Sequence, residues 1–101
     1  MADDDKKSWT FLTNHAHVLL CIALDPEIRG RDIADRVGIT ERSAQSIVAD
    51  LVEQGYLSRE KVGRRNRYEI HAGQPLRHPI ERDHQVIELL GLVEPVRRPK
   101  A

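Results

Sequence analysis

Apolar positions recur at helical spacing over three successive stretches, then shift toward every second residue, then return to helical spacing near the end. In the first stretch, Phe11, Leu12, Val18, Leu19, Ile22 and Ala23 share one face with His15 at its centre. This predicts a helix from about Thr10 to Leu24. Trp9 stands just before it and is expected to pack back on the first turn. Asp25-Pro26 stops the helix, because the residue before a proline is pushed out of helical backbone. Ile28 and Arg29 are expected to form a very short strand that pairs with a later hairpin. A second helix, from about Arg31 to Val37, turns Ile33, Ala34 and Val37 inward and ends at Gly38, which tolerates left-handed backbone. Thr40 then caps a third helix, with Glu41 favourably placed in its first turn. Its stripe is Ala44, Ile47, Val48, Leu51 and Val52, and it runs to about Gln54 before Gly55 ends it.

The period-two stretch predicts strands at about Tyr56 to Val62 and Arg67 to Ile70 around a turn of Gly63, Arg64, Arg65 and Asn66. Leu57, Tyr68 and Ile70 point inward, and Val62 breaks the phase. Residues 72–79 read as a linker containing Gly73, Pro75 and Pro79. Pro79 suits the first position of a helix over residues 80–93, whose apolar set is Ile80, Ile87, Leu89 and Leu90 with Val86 beside them. Residues 1–8 are expected to be disordered and residues 94–101 a flexible tail. The resulting fold class is mainly α with a small β-hairpin (α+β): a three-helix core over residues 9–71 with its hairpin, then a C-terminal helix.

Length adds one constraint. With 101 residues the chain makes a single small domain that buries roughly two-thirds of its unfolded surface. No apolar run approaches the roughly 20 residues needed to span a bilayer, so no membrane partner is expected. Met1 to Lys7 is acidic then basic with no hydrophobic region behind it, unlike a secretory signal. The single cysteine, Cys21, cannot close an internal disulfide, which favours a reducing compartment and a cytoplasmic location.

Net charge is zero, but the signs are unevenly placed. Between Arg59 and Arg67 there are five basic residues and one acid, Glu60. The remaining acids near the termini are distant, and exposed charges are screened over about 8 Å at physiological salt. A guard against edge-to-edge aggregation would need only one or two charges of either sign. Five cations on one hairpin exceed that need and suit phosphates or a narrow minor groove.

The third helix carries matching chemistry. Opposite its apolar stripe lie Arg42, Gln45, Ser46 and Ala49, followed by Asp50 and Glu53. Arginine can bridge O6 and N7 of guanine, and glutamine can bridge N6 and N7 of adenine. Small Ser46 and Ala49 allow close approach. The acids come last, so the N-terminal half is expected to enter the major groove. A solvated helix face would look similar alone; the turn before it and the basic hairpin after it favour the DNA reading. The candidate DNA-binding set is Thr40, Glu41, Arg42, Ser43, Gln45, Ser46 and Ala49 on the helix. On the hairpin it is Arg59, Lys61, Arg64, Arg65, Asn66 and Arg67.

The stretch from Arg31 to Thr40 (RDIADRVGIT), the following ERSAQSIVADLVEQGYL and the hairpin ending in Arg67-Tyr68 resemble winged helix-turn-helix transcriptional regulators of bacterial MarR and ArsR type. The resemblance covers about Ser8 to Ile70. It implies that the helix over Thr40 to Gln54 reads DNA and that the wing at Gly63 to Asn66 touches the minor groove. The function expected is a sequence-specific double-stranded DNA-binding transcriptional regulator. A homodimer is expected, because one short helix makes few base contacts and two half-sites multiply them. Its surface would come from helix one and the C-terminal helix.

Five histidines invite a metal hypothesis, since zinc and nickel need three or four converging ligands. His84 and Glu88 are one turn apart with His78 close in sequence, whereas His15 and His17 point to different sides of a helix. The expectation is no metal and no cofactor: His15 is read as a core histidine satisfied by one hydrogen bond, and Cys21 as a small packing residue. No Gly-rich phosphate loop, nucleophile elbow or catalytic carboxylate pair is present, so no catalytic residues and no enzyme are expected. A winged-helix protein-interaction module without DNA binding is the alternative.

Overall fold

The computed structural model describes residues 9–93. The expected disorder of residues 1–8 and flexibility of 94–101 lie outside the described residues. The elements are α1 (Asn14–Leu24), α2 (Gly30–Val37), α3 (Glu41–Glu53), β1 (Leu57–Val62), β2 (Arg65–Ile70) and α4 (Val86–Leu90).

Helix α1 begins four residues later than its apolar spacing predicts. Thr13 is the N-cap, and its hydroxyl accepts from the Ala16 amide at 3.3 Å. Thr10 instead donates to the Leu12 carbonyl at 2.7 Å, which holds the preceding segment outside the helix. Phe11 is therefore 90% exposed and not part of the core, and Trp9 packs edge-on against Phe11 at 4.8 Å instead of on the first turn. Val18 to Ile22 are all buried, because α1 packs against α2, α3 and β2.

The helix-turn-helix forms as its caps dictate. Gly38 has φ +87°, and the Gly38 and Ile39 amides both donate to the Ala34 carbonyl. Thr40 accepts from the Ser43 amide at 3.0 Å to open α3. At the far end Gly55 also has φ +87°. The Tyr56 amide bonds the Leu51 carbonyl and the Gly55 amide that of Val52, a Schellman closure. Ile33, Ala34, Ala44, Ile47, Val48 and Leu51 interlock with α1, and Leu57 and Tyr68 of the hairpin close the core.

Strands β1 and β2 pair antiparallel from Leu57 opposite Ile70 to Val62 opposite Arg65. The connecting turn is thus two residues, Gly63 and Arg64, and Arg65 and Asn66 belong to the strand. Ile28 and Arg29 form no strand. The preceding residues nevertheless run along β2, where the Tyr68 amide donates to the Pro26 carbonyl at 2.8 Å.

The C-terminal segment departs most from its expected form. Residues 79–84 are turns, and α4 spans five residues instead of residues 80–93. The cause is hydrogen bonding at a distance: the Val86 and Ile87 amides donate to the Gln74 and Ala72 carbonyls, and the Leu76 amide to that of His84. A helix starting at Ile80 would need those groups for itself. Gln85 and Glu88 form a capping box that starts α4 there. Val86, not Ile80, is the buried residue: Val86 is 1% exposed and Ile80 85%. Residues 72–79 are packed onto the domain, with Leu76 against the core and the Tyr56 hydroxyl donating to the Pro75 carbonyl at 2.7 Å.

Candidate nucleic-acid interface

The hairpin register sorts the cations. Residues opposite one another in an antiparallel pair share a face. Arg59 and Lys61 therefore lie on the face of Leu57, Tyr68, Asn66 and Ile70, which turns toward the core. Arg65 and Arg67 lie on the other face with Ser58, Glu60, Val62 and Glu69. Beyond Leu57 the residues of β1 are exposed, so most of the hairpin projects past the body of the domain.

Where it projects, its inner face meets α3. Gln45, Ala44 and Val48 of that helix, Arg59, Asn66 and Tyr68 of the hairpin, and Gly30 together line a cleft of about 220 Å³. Gly30 borders the cleft at ordinary contact distance. A Cβ there would stand 3.8 Å from the Gln45 amide nitrogen and 3.7 Å from a Glu41 carboxylate oxygen. The glutamine with base-reading chemistry and the hairpin arginine thus border one cleft.

Arg42, Ser46 and Ala49 are exposed along α3, as is Gln45 beside them. Thr40 and Ser43 are engaged with each other: the Thr40 hydroxyl donates to that of Ser43 at 3.0 Å while accepting the Ser43 amide. That pair acts first as a helix cap. Glu41 leans toward Gly30. Gly63, with φ +65°, and Arg64 form the hairpin tip.

The outer arginines face Glu27, a residue not singled out by periodicity or charge runs. Arg65 Nη1 donates to the Glu27 carbonyl at 3.2 Å, and Arg67 Nε to the Glu27 carboxylate at 3.3 Å. Both side chains of the ion pair are about half exposed, 53% and 43%, so the pair is worth at most about 1 kcal/mol. It orients Arg67 without sequestering it. An acid immediately after Asp25-Pro26, entering an extended run, was the available signal. Among the described residues, Arg59, Lys61 and Arg64 pair with no carboxylate.

His15 is not buried. Its side chain is 49% exposed, and Nε2 lies 2.9 Å from an Asp50 carboxylate oxygen, tying α1 to α3. Asp50 is thereby held on the α1 side of its helix. Cys21 is buried, and that burial pushes its thiol pKa up against a smaller opposing effect of Arg36. His84 Nδ1 lies 2.7 Å from Glu88. Among the described residues no three His, Cys, Asp or Glu side chains converge to hold a metal, and no helix is long and apolar enough to cross a membrane.

The corner between α3 and the hairpin is fixed by His71, which periodicity also missed. The Gly55 carbonyl can only accept, so His71 Nδ1 carries the proton that reaches it at 2.7 Å. Nε2 lies 2.7 Å from the Ser58 hydroxyl oxygen. Gln74 Nε2 donates to the same Gly55 carbonyl at 3.1 Å.

Comparison with known proteins adds three findings. The sequence pattern described as MarR family matches residues 10–67. Among solved structures, the chain is similar to the PcaV transcriptional regulator from Streptomyces coelicolor, solved in complex with its natural ligand. The TM-score is 0.52 at 16% identity, covering 84% of this chain and 62% of that one. This likeness shows the fold, a winged helix, and this chain spans less than two-thirds of the PcaV chain's length. No curated protein sequence matches.

Proposed function

The chain belongs to the MarR family, whose members are transcription regulators and not enzymes, and on that premise we propose that it binds double-stranded DNA sequence-specifically. The observation that carries this reading is the cleft shared by Gln45 on α3 and Arg59 and Asn66 on the hairpin. It sets a hydrogen-bonding helix face and a cationic wing beside one another. In this reading α3 enters the major groove by its N-terminal half, with Arg42, Gln45, Ser46 and Ala49 toward base edges. Thr40, Glu41 and Ser43 stand at its entry. Arg59, Lys61 and Arg64 bind phosphate, and Asn66 adds an amide beside them. Arg65 and Arg67 join once phosphate competes with Glu27. The protein acts in the cytoplasm as a homodimer through helix one and the C-terminal segment, two copies reading two half-sites.

Anisotropy titrations of labelled duplexes across a salt series test this. Arg59→Ala is expected to weaken binding to all sequences and to reduce the salt slope by about 1 per chain. Gln45→Ala is expected to cost about 1–3 kcal/mol on preferred sites only. Intact binding in both variants overturns the assignment. One observation favours the second reading, a protein-docking module: Trp9, Phe11, Ile80, Ile87 and Leu92 are exposed apolar residues. That reading predicts no affinity for random duplex even near about 50 mM salt, where nonspecific DNA binding is strong.

A further inference from the structure

The cleft between α3 and the hairpin is bordered by a further element, the N-terminus of α2 at Gly30. Arg29 is the N-cap of α2 and supplies no side-chain hydrogen bond. Its carbonyl accepts the Asp32 and Ile33 amides, whereas the Gly30 and Arg31 amides have no acceptor among the described residues. Unfilled amides at a helix start carry the positive end of its dipole and favour an anion. An independent feature of the same cleft points the same way. Tyr68 lines it and is only 8% exposed, yet its hydroxyl has no hydrogen-bond partner among the described residues. Tyr56, by contrast, donates to the Pro75 carbonyl. A buried phenol ordinarily finds a partner, so an unfilled one calls for a ligand or water. The register sets Tyr68 directly opposite Arg59, on the hairpin face that also carries Asn66.

We propose that this cleft is a site for one phosphate group, formed before any DNA arrives. The Gly30 and Arg31 amides and the Tyr68 hydroxyl donate to its oxygens, and the Arg59 guanidinium balances its charge. The side-chain amides of Asn66 and Gln45 close the sides. Backbone amides and guanidinium groups donate and cannot accept, so the set selects a tetrahedral oxyanion over a cation or an amine. The cleft of about 220 Å³ has room for a phosphate and part of its hydration, a water occupying about 30 Å³. Two acids oppose the anion and moderate its affinity. A Glu41 carboxylate oxygen stands 3.7 Å from where a Gly30 Cβ would lie, and Asp32 is in the first turn of α2. The phosphate has two possible sources with the same chemistry, the duplex backbone and free phosphate. The proposal rests on the DNA-binding reading for the first source only. A backbone phosphate seated here sets the register of Gln45 against the bases.

Inorganic phosphate added to the full chain without DNA, at ionic strength matched with chloride, should shift the Gly30 and Arg31 amide resonances saturably. Tyr68→Phe removes only a hydroxyl and should weaken that binding about tenfold without lowering the thermal melt. Arg59→Ala should weaken it at least as much, and Arg64→Ala at the hairpin tip should leave it unchanged. Glu41→Gln should strengthen it several-fold. Two results overturn the proposal: chloride producing the same shifts, or phosphate affinity that survives either Tyr68→Phe or Arg59→Ala. A duplex titration then separates the sources. Phosphate that weakens duplex binding beyond matched chloride, with the excess lost in Tyr68→Phe, assigns the site to the backbone. Equal weakening by the two salts assigns it to free phosphate. The first titration contains no DNA, so its failure leaves the DNA-binding reading standing, and a duplex that does not bind leaves the phosphate site standing.

Discussion

At the scale of single residues, surroundings decide what a side chain can do. Cys21 lies between α1 and α2 beside Leu20, Leu24 and Arg36, and burial raises its thiol pKa more than Arg36 lowers it. A raised thiol pKa means less thiolate at neutral pH, and the thiolate is the nucleophile. Alkylation by iodoacetamide at pH 7.5 should therefore be slower than for the unfolded chain and should recover in denaturant. Equal rates in the two states would contradict this account. Cys21 was readable as a packing residue because its neighbours in sequence are apolar. His15 was not: it keeps its helical phase with Val18, Leu19 and Ile22 but stands in the first turn of α1, half exposed against Asp50. The choice of Thr13 as cap belongs to local hydrogen bonding, which periodicity does not record.

At the scale of elements, locally determined pieces were legible and nonlocal ones were not. The ends of α2 and α3 follow from Gly38, Thr40 and Gly55, each acting through its own backbone or hydroxyl. The C-terminal helix depends on carbonyls at Ala72 and Gln74, which no pattern within residues 80–93 contains. What remains of it leans on Glu88, whose pKa is lowered first by the hydrogen bond from the Gln85 amide and then by that from His84. A carboxyl whose folded pKa is depressed contributes stability above its unfolded pKa and loses it as pH falls through the folded value. The amides of Val86–Leu90 should accordingly lose hydrogen-exchange protection as pH falls below about 4, the ordinary glutamate range, while those in the middle of α3 keep theirs. Uniform protection across this range would show that the capping box is dispensable.

At the scale of the whole molecule, the candidate interface joins α3 and the hairpin that follows it to Glu27 and Gly30, earlier in the chain. The basic hairpin and the polar helix face were each legible, but their division of labour was not, because strand register and Glu27 set it. Glu27→Gln should free Arg67 for phosphate, tighten DNA binding and steepen the salt slope by about 0.9 per chain if one contact is gained. Adding Arg67→Ala should abolish that gain; a gain that persists would trace to the lost negative charge alone. The doubly bonded carbonyl of Gly55 has a larger mechanical meaning. His71 and Gln74 hang from the residue at which α3 turns into the hairpin, and the chain beyond them lines a groove against α1 and α3. The corner between α3 and the hairpin is therefore tied by hydrogen bonds to the segment that follows the hairpin.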